Sequence, residues 1–382
     1  MREVSIVGIG QTKAGEHWDR SLRDLASDAI LAALKDARVA NVDALYVGNM
    51  LSGELTAQQH LGTLIADWAG LGSVEAVKVE AADASGAAAV RLGYLGIASG
   101  VQDVVVVCGV EKTTDADAET AIAAWSAGTD AEYEAFHGLT IPAVAGLLMR
   151  RYMQEFGVGR EDLAPFAVNA HKNGVNNPNA MFRSLITAEA FLKGGMVADP
   201  VGMFDAAPLC DGAAAVVLCT SERARELGGK PVRIRASAAA TDRLAVHSRR
   251  DPLVLQAAYL SAQKAYAQAG VGPSDIRLFE LHDAFTVLAA LSLEACGFAA
   301  RGQGTRLAKD GEIALQGRIP VSTMGGLKAR GHPIGATGVY QIVEVALQLR
   351  GEAGANQVQA HLGMAQSLGG SGATAVTHIL EA

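Results

Sequence analysis

The side chains with chemical content fall in four short segments. The richest is GGLKARGHPIGATG, from Gly325 to Gly338, in which one histidine sits between glycine and proline ahead of a helical pattern. Glycine permits strained or closely approaching backbone, proline fixes the turn, and the free N–H groups opening the next helix attract negative charge. His332 is thereby placed to stabilise an oxyanion or move a proton. The plainer alternative is a turn histidine that satisfies a carbonyl. Lys328 and Arg330 beside it read as solvated surface charge or as a grip for a phosphate. The second segment is ELHDAF, Glu280 to Phe285, at the end of an apolar strand, where open α/β sheets present functional groups. His282 there suits donation to an enolate or thioester oxygen. Asp283 either orients a neighbour or caps the following helix, and capping is the expected role.

The third segment is VEAADASG, Val79 to Gly86, whose small residues permit a sharp turn from strand to helix and put Asp83 at the helix start. From these residues alone Asp83 reads as an N-cap stabilised by the helix dipole. The fourth is Ser367-Leu-Gly-Gly-Ser-Gly-Ala, where Gly369 and Gly370 either turn N–H groups toward an anion or permit a tight turn between strands.

These segments need a scaffold, and short β-rich runs alternating with Ala-rich amphipathic stretches supply one. VSIVGIG from Val4, a helix over 21–37, ALYVGNM from Ala44, VKVEA from Val77, a helix over 84–98 and DVVVVCGV from Asp103 make a βα series. From Asp115 to Asp205 the alternation fails, and helices, turns and the Asn-rich NGVNNPNA indicate a loop domain lying over a sheet. A second series follows: PVRIRASAAA from Pro231, a helix over 253–269, IRLFELHDAF from Ile276 and two closing strands after Gln357. Two echoes link the halves. Asp211-Gly-Ala-Ala-Ala-Val matches Ser371-Gly-Ala-Thr-Ala-Val, and Ala84-Ser85-Gly86 matches Ala336-Thr337-Gly338. The expected division is 1–114 with 206–225 as an N-terminal half, 115–205 as the loop domain and 226–382 as a C-terminal half.

At 382 residues the chain can bury more than one core. With 43 glycines and only 5% aromatic residues, packing must rest on Ala, Val, Leu and close backbone approach. A net charge of −8 without any Lys/Arg block argues against nucleic acid. The opening MREVSIVGIG reads as a strand and not a signal peptide, and the apolar stretch Leu139 to Met149 falls well short of the roughly 20 residues a membrane helix needs. A soluble cytoplasmic protein is expected, without a membrane partner. Cys108, Cys210, Cys219 and Cys296 lie in apolar segments without CxxC spacing and read as buried reduced thiols. No metal or redox cofactor is expected, because His282 and His332 belong to separate loops.

The four segments in this order resemble the thiolase superfamily, and within it the archaeal and sterol-carrier-protein-2-type branch, with its HDAF-like and GHPIGATG-like motifs. The resemblance extends over essentially the whole chain, through Asn173-Gly, Pro178, Phe182-Arg183, MVADP from Met196 and CDGAAAVVL from Cys210. It implies an α/β thiolase fold: two similar βαβαβ-type halves in a five-layer α/β/α/β/α core with a loop domain, and at least a homodimer. It implies that His282 and His332 are the oxyanion-hole and acid/base histidines and that Gly369, with Gly370 and Ser367 beside it, belongs to a second oxyanion hole. Asp83 falls where the family pattern VEAACASG carries its nucleophilic cysteine. Ser367 stands at the apparent place of a second cysteine, and Ser322-Thr-Met324 departs from the usual Asn-x-Ser.

A carboxylate is a poor acyl acceptor, since it would form a mixed anhydride, but the remaining groups still suit an enolate. The leading expectation is therefore cysteine-independent retro-aldol cleavage of a β-hydroxyacyl-CoA, with Asp83 as base and His282 and His332 holding the thioester enolate. Acetyl-CoA C-acyltransferase activity is the second reading. A silent CoA-binding subunit, beside the OB-fold, zinc-ribbon-like partner that this branch often has, is the third. In each, coenzyme A enters as part of the substrate and nothing is tightly bound.

Overall fold

The computed structural model describes residues 2–382. Its strands are β1 (Val4–Gln11), β2 (Ala44–Gly48), β3 (Glu75–Val79), β4 (Val104–Glu111), β5 (Met196–Ala198), β6 (Val201–Gly202), β7 (Gly212–Thr220), β8 (Val232–Thr241), β9 (Phe279–Glu280), β10 (Leu362–Gly369) and β11 (Thr374–Glu381). Nine of them run in the order β3-β2-β4-β7-β1-β8-β11-β10-β9. The order divides between β1 and β8, which share just two residue pairs, Ser5 with Arg233 and Ile6 with Val232. On either side the pattern repeats: β2–β4 and β9–β10 are parallel, while β4–β7–β1 and β10–β11–β8 are antiparallel.

Four helices complete the layers: α1 (Leu22–Ala37), α2 (Ser85–Ser99), α3 (Gln256–Ala269) and α4 (Thr337–Arg350). α2 and α4 pack on each other and touch both half-sheets, α1 covers the outer face of the first half and α3 that of the second. This is the expected α/β/α/β/α stack. Both echoes occupy matching places: the first pair leads into β7 and β11, and the second opens α2 and α4.

The composition explains how the layers close. α1 begins in a capping box, Ser21 Oγ accepting from Asp24 N and the Asp24 carboxylate from Ser21 N, and buries Leu25, Ala26, Ala29, Ile30 and Ala33. A methyl group on Gly8 or Gly10 of β1 would lie 2.2 Å from a carbonyl oxygen of α1, so glycine sets that spacing. In the central layer a Cβ on Gly338 would lie 2.4 Å from Ala87 N. Gly338→Ala is therefore expected to push α4 from α2 and cost about 1–3 kcal/mol in urea unfolding.

His378 of β11 is fully buried, and neither ring nitrogen has a hydrogen-bond partner. Burial, with Arg91 adding repulsion, pushes its pKa down to about 3. The unfolded chain takes up this proton below about 6.5 and the folded chain does not, so stability falls as pH drops from there toward 3. His378→Leu is expected to raise the melting temperature more at pH 5 than at pH 8, by the equivalent of about 2 kcal/mol.

Between 115 and 205 the chain forms the helices Ala118–Ser126, Ile141–Phe156, Ala164–Gly174 and Ala188–Lys193 and the β5–β6 hairpin, and adds no strand to the large sheet. Its Tyr152, Phe166 and Phe191 share a core with Leu281, Phe285 and Val287 of the C-terminal half. The strand expected over IRLFELHDAF shortens to Phe279–Glu280, because β9 closes the sheet edge through two pairs with β10 before the chain turns into the helix Thr286–Ala295. All four cysteines are buried and free. No helix among the described residues is long and apolar enough to cross a membrane.

Candidate active site

β3 ends at Val79 and α2 begins at Ser85, so the chain reverses within a few residues. Ala82 takes φ +52° at that point, the left-handed region that a residue with a Cβ enters at a cost of roughly 1–2 kcal/mol. Ser85 Oγ braces the turn by accepting from Ala81 N at 2.9 Å. The outcome is that Asp83 points away from its own helix. It makes no cap; the N-cap position is Ala84, without a side-chain bond. The expected capping role is thus corrected: the strained turn directs the carboxylate inward, where it is 1% exposed.

Three groups from distant segments meet that carboxylate. Trp125 Nε1 donates to Oδ1 at 2.6 Å, His332 Nε2 lies 3.1 Å from Oδ1, and Gly370 N donates to Oδ2 at 2.8 Å. Burial alone would raise the pKa of Asp83. The His332 hydrogen bond and charge, with the Gly370 N–H, more than offset it and hold the group below the ordinary carboxylate value. Asp83 is ionised at neutral pH.

His332 is carried by a loop of unusual backbone. A π-helical turn, Gly326–Arg330, precedes it, and Gly325, Gly326 and Gly331 have φ of +108°, +54° and +111°. A Cβ on Gly326 would lie 2.5 Å from Asp283 Oδ2 and one on Gly331 2.7 Å from Cys210 Sγ. The ring is fixed on its other side by Thr337 Oγ1, 2.7 Å from Nδ1. His282 follows β9 and stands edge-to-face with His332, ring centres 5.3 Å apart. Its Nδ1 is buried without a partner, and burial with the neighbouring His332 pushes its pKa down to about 3, so the ring is neutral.

The C-terminal segment closes the site. Gly370, at φ +56°, turns its N–H onto Asp83, a Cβ on Gly369 would lie 2.5 Å from Ala81 O, and Ser367 Oγ reaches the Asp83 carbonyl at 3.4 Å. Asp83, His282, His332 and the 367–370 segment are therefore one cluster.

Other residues depart from expectation. Arg330 is fully buried, donates from Nε to Glu344 at 3.0 Å and lies over the Tyr340 ring at 4.7 Å. Lys328 is 2% exposed and bonds the Asp205 carbonyl; burial pushes its pKa down to about 8, against the attraction of Asp283. Neither is surface charge, and Arg330 is not open to a phosphate. Asp283 does not cap: its oxygens take Leu327 N at 2.8 Å and Ser322 Oγ at 3.2 Å, which holds the glycine loop. The separate-loop argument against a metal also fails, because one ligand atom each of Asp83, His282 and His332 lie within 4.8 Å of one another.

Two residues not singled out in the sequence matter. Glu111, closing the otherwise apolar β4, accepts from Asn49 Nδ2, Met50 N, Leu51 N and Gly335 N, pinning the loop after His332. Burial, against those backbone bonds, pushes its pKa up to about 7. Trp125, from the 115–205 segment, stacks on Phe285 at 5.9 Å and meets His332 edge-on. It also lines a cavity of about 790 Å³ with Ile122, Phe182, Phe204, Leu209 and Lys328. Trp125 links the cavity to the cluster: its ring lines the cavity and its Nε1 bonds Asp83. The cavity lining is mainly apolar, with Lys328, His171, Thr113, Thr114, Ser184 and Glu16 as polar contacts.

Comparison with known proteins agrees with this architecture. The family model "Thiolase, N-terminal domain" matches residues 4–222, and "Thiolase C-terminal domain-like" matches 238–382. The chain is similar to acetyl-CoA acetyltransferase of Methanothermobacter thermautotrophicus, 47% identical over 99% of each chain. It is also similar to human sterol carrier protein 2, 31% identical over 99% of this chain and 72% of that one. The solved Ltp2-ChsH2(DUF35) aldolase superposes with a TM-score of 0.86 at 29% identity, covering 100% of this chain and 98% of that one. The chain belongs to the thiolase superfamily, in its sterol-carrier-protein-2-type branch, and is an enzyme of the acyltransferase or lyase kind found there.

Proposed function

We propose that this enzyme breaks, or in reverse forms, the Cα–Cβ bond of a β-hydroxyacyl-CoA without an acyl-enzyme. The observation that carries the reading is the charged, buried Asp83 carboxylate held between His332, Trp125 and Gly370; the sequence resemblance would put the family's cysteine at this position. Cys210, beside the His332 loop, has its pKa pushed up to about 12 by burial and stays a thiol. In the cleavage direction Asp83 takes the β-hydroxyl proton and the Cα–Cβ bond breaks. The carbonyl fragment leaves, and the electron pair moves to the thioester oxygen as an enolate facing His282. A proton returned to Cα completes an acyl-CoA. A carboxylate held low is a weak base, and His332 beside it supports the reading by offering a second station for the proton.

Acetyl transfer remains the second reading, favoured by the name carried by the Methanothermobacter relative. The two are separated by intact-protein mass spectrometry after exposure to acetoacetyl-CoA. The wild type is expected to stay unmodified and Asp83→Cys to gain an acetyl group; an acetylated wild type would overturn the retro-aldol reading. The similar aldolase was solved with ChsH2(DUF35), which supports a partner protein here also. Half-exposed β3, paired on one side by β2, is a suitable edge for the proposed homodimer.

A further inference from the structure

We propose that Glu111 is a positioning residue, which sets the spacing of Asp83 and His332 without touching substrate. The reading rests on those two being the reacting pair, and it holds for bond cleavage and acyl transfer alike. Four elements meet beside the pair with glycine at each contact. A Cβ on Gly48, ending β2, would lie 2.5 Å from Gly86 Cα in the first turn of α2. One on Gly86 would lie 2.7 Å from Gly335 O, one on Gly335 2.7 Å from Met50 N, and one on Gly109 of β4 2.8 Å from Ala336 Cα. Asp83 stands just ahead of Gly86 and His332 just ahead of Gly335, so one junction carries both residues.

Glu111 is the charged tie across this junction. It follows Gly109 by two residues and so shares its face of β4. Oε1 accepts from Asn49 Nδ2 at 2.7 Å and Leu51 N at 3.1 Å, and Oε2 from Met50 N and Gly335 N, each at 3.0 Å. Both oxygens hold the segment after β2, and Oε2 joins it to the turn after His332. The carboxylate is fully buried, and no cation bonds it among the described residues; Lys78, whose charge reaches it, has Nζ on Ser52 Oγ. Such a group is satisfied only where all four donors converge, so moving the Gly335 turn away from the 49–51 segment would leave a buried donor and acceptor unpaired. At its other end the turn is held by His332 N, which donates to Pro208 O at 2.9 Å. The imidazole is thus suspended between two ties, and slackening one by about 1 Å is enough to cost about 100-fold in rate.

The test reads the pair without substrate, so its failure is distinct from failure of the retro-aldol reading. In full-length Asp83→Cys the introduced thiol, beside His332, is expected to titrate below the ordinary value of about 8.5, as followed by thiolate absorbance. Adding Glu111→Gln, which keeps the size but turns an NH2 toward two donors, is expected to return it to about 8.5. Removing a negative charge by itself lowers a thiol's value, so a rise reports a loosened imidazole. The four native cysteines, whose thiols burial pushes up, stay silent while the protein is folded and would add their amplitude on unfolding. A one-thiol transition therefore certifies the fold. With Asp83 in place, Glu111→Gln is expected to lower turnover about 100-fold. If Glu111→Gln does not fold, Gly335→Ala decides, because it drives a Cβ against Met50 N, alters no charge and is expected to move the thiol the same way. A thiol that keeps or lowers its value in the folded double variant overturns the proposal.

Discussion

Asp83→Asn is expected to lower cleavage of a β-hydroxyacyl-CoA by about 1,000-fold or more, the scale of a lost general base at the reacting atoms. Asparagine keeps the size and one acceptor oxygen but removes the charge. One of Gly370 N and His332 Nε2 then faces an amide NH2. Because Asp83 is held below the ordinary carboxylate value, the deficit should be the same at every pH from 5 to 8. The sign for stability follows from the same depressed value. The contribution of the charged form is fully present above the unfolded value of 3.8 and is lost as pH falls through the folded one. Melting temperatures of wild type and Asp83→Asn should therefore differ at pH 7 and converge in acid. Unchanged turnover in the variant would remove Asp83 from the chemistry.

Arg330→Met is expected to cost about 3–5 kcal/mol of stability, the penalty of leaving one member of a buried ion pair alone. The guanidinium bonds Glu344 and the Gly331 carbonyl and covers Tyr340, all at full burial. Without it Glu344 faces Glu280, whose pKa burial and Glu344 already push up to about 8, and Asp283. Replacing both partners, Arg330→Met with Glu344→Leu, should recover much of the loss, since two apolar side chains leave no orphan charge. Urea unfolding measures both. A single-variant cost under about 1 kcal/mol would show that the pair does not hold the His332 loop.

What the sequence disclosed and what it hid divide along contact distance. Gly and Pro around His332, the small residues around Asp83 and the strand before His282 are local signals, and each placed its residue at the cluster. The layered fold was legible for the same reason, since βα alternation and the Gly-Ala composition act within a strand or helix. Arg330 was misread because a charge beside glycines resembles a surface loop, and only Glu344 on α4 shows otherwise. Asp283 was misread because the donors it serves, Leu327 N and Ser322 Oγ, are far along the chain and outcompete the helix start. Trp125 carries no motif; its signal exists only in three dimensions, where a helix of the 115–205 segment lays it on Asp83. Glu111 did leave a trace, as a carboxylate ending the otherwise apolar β4.

The central claim is that carbon–carbon cleavage proceeds here without a thiolate and without free coenzyme A as acceptor. The most direct measurement is a mass-resolved product assay on a panel of β-hydroxyacyl-CoAs with no CoA added, beside acetoacetyl-CoA with and without CoA. The account predicts a shortened acyl-CoA and an equimolar aldehyde or ketone from the first set. Inactivity there, together with CoA-dependent conversion of acetoacetyl-CoA to acetyl-CoA, would contradict it and return the enzyme to acyl transfer.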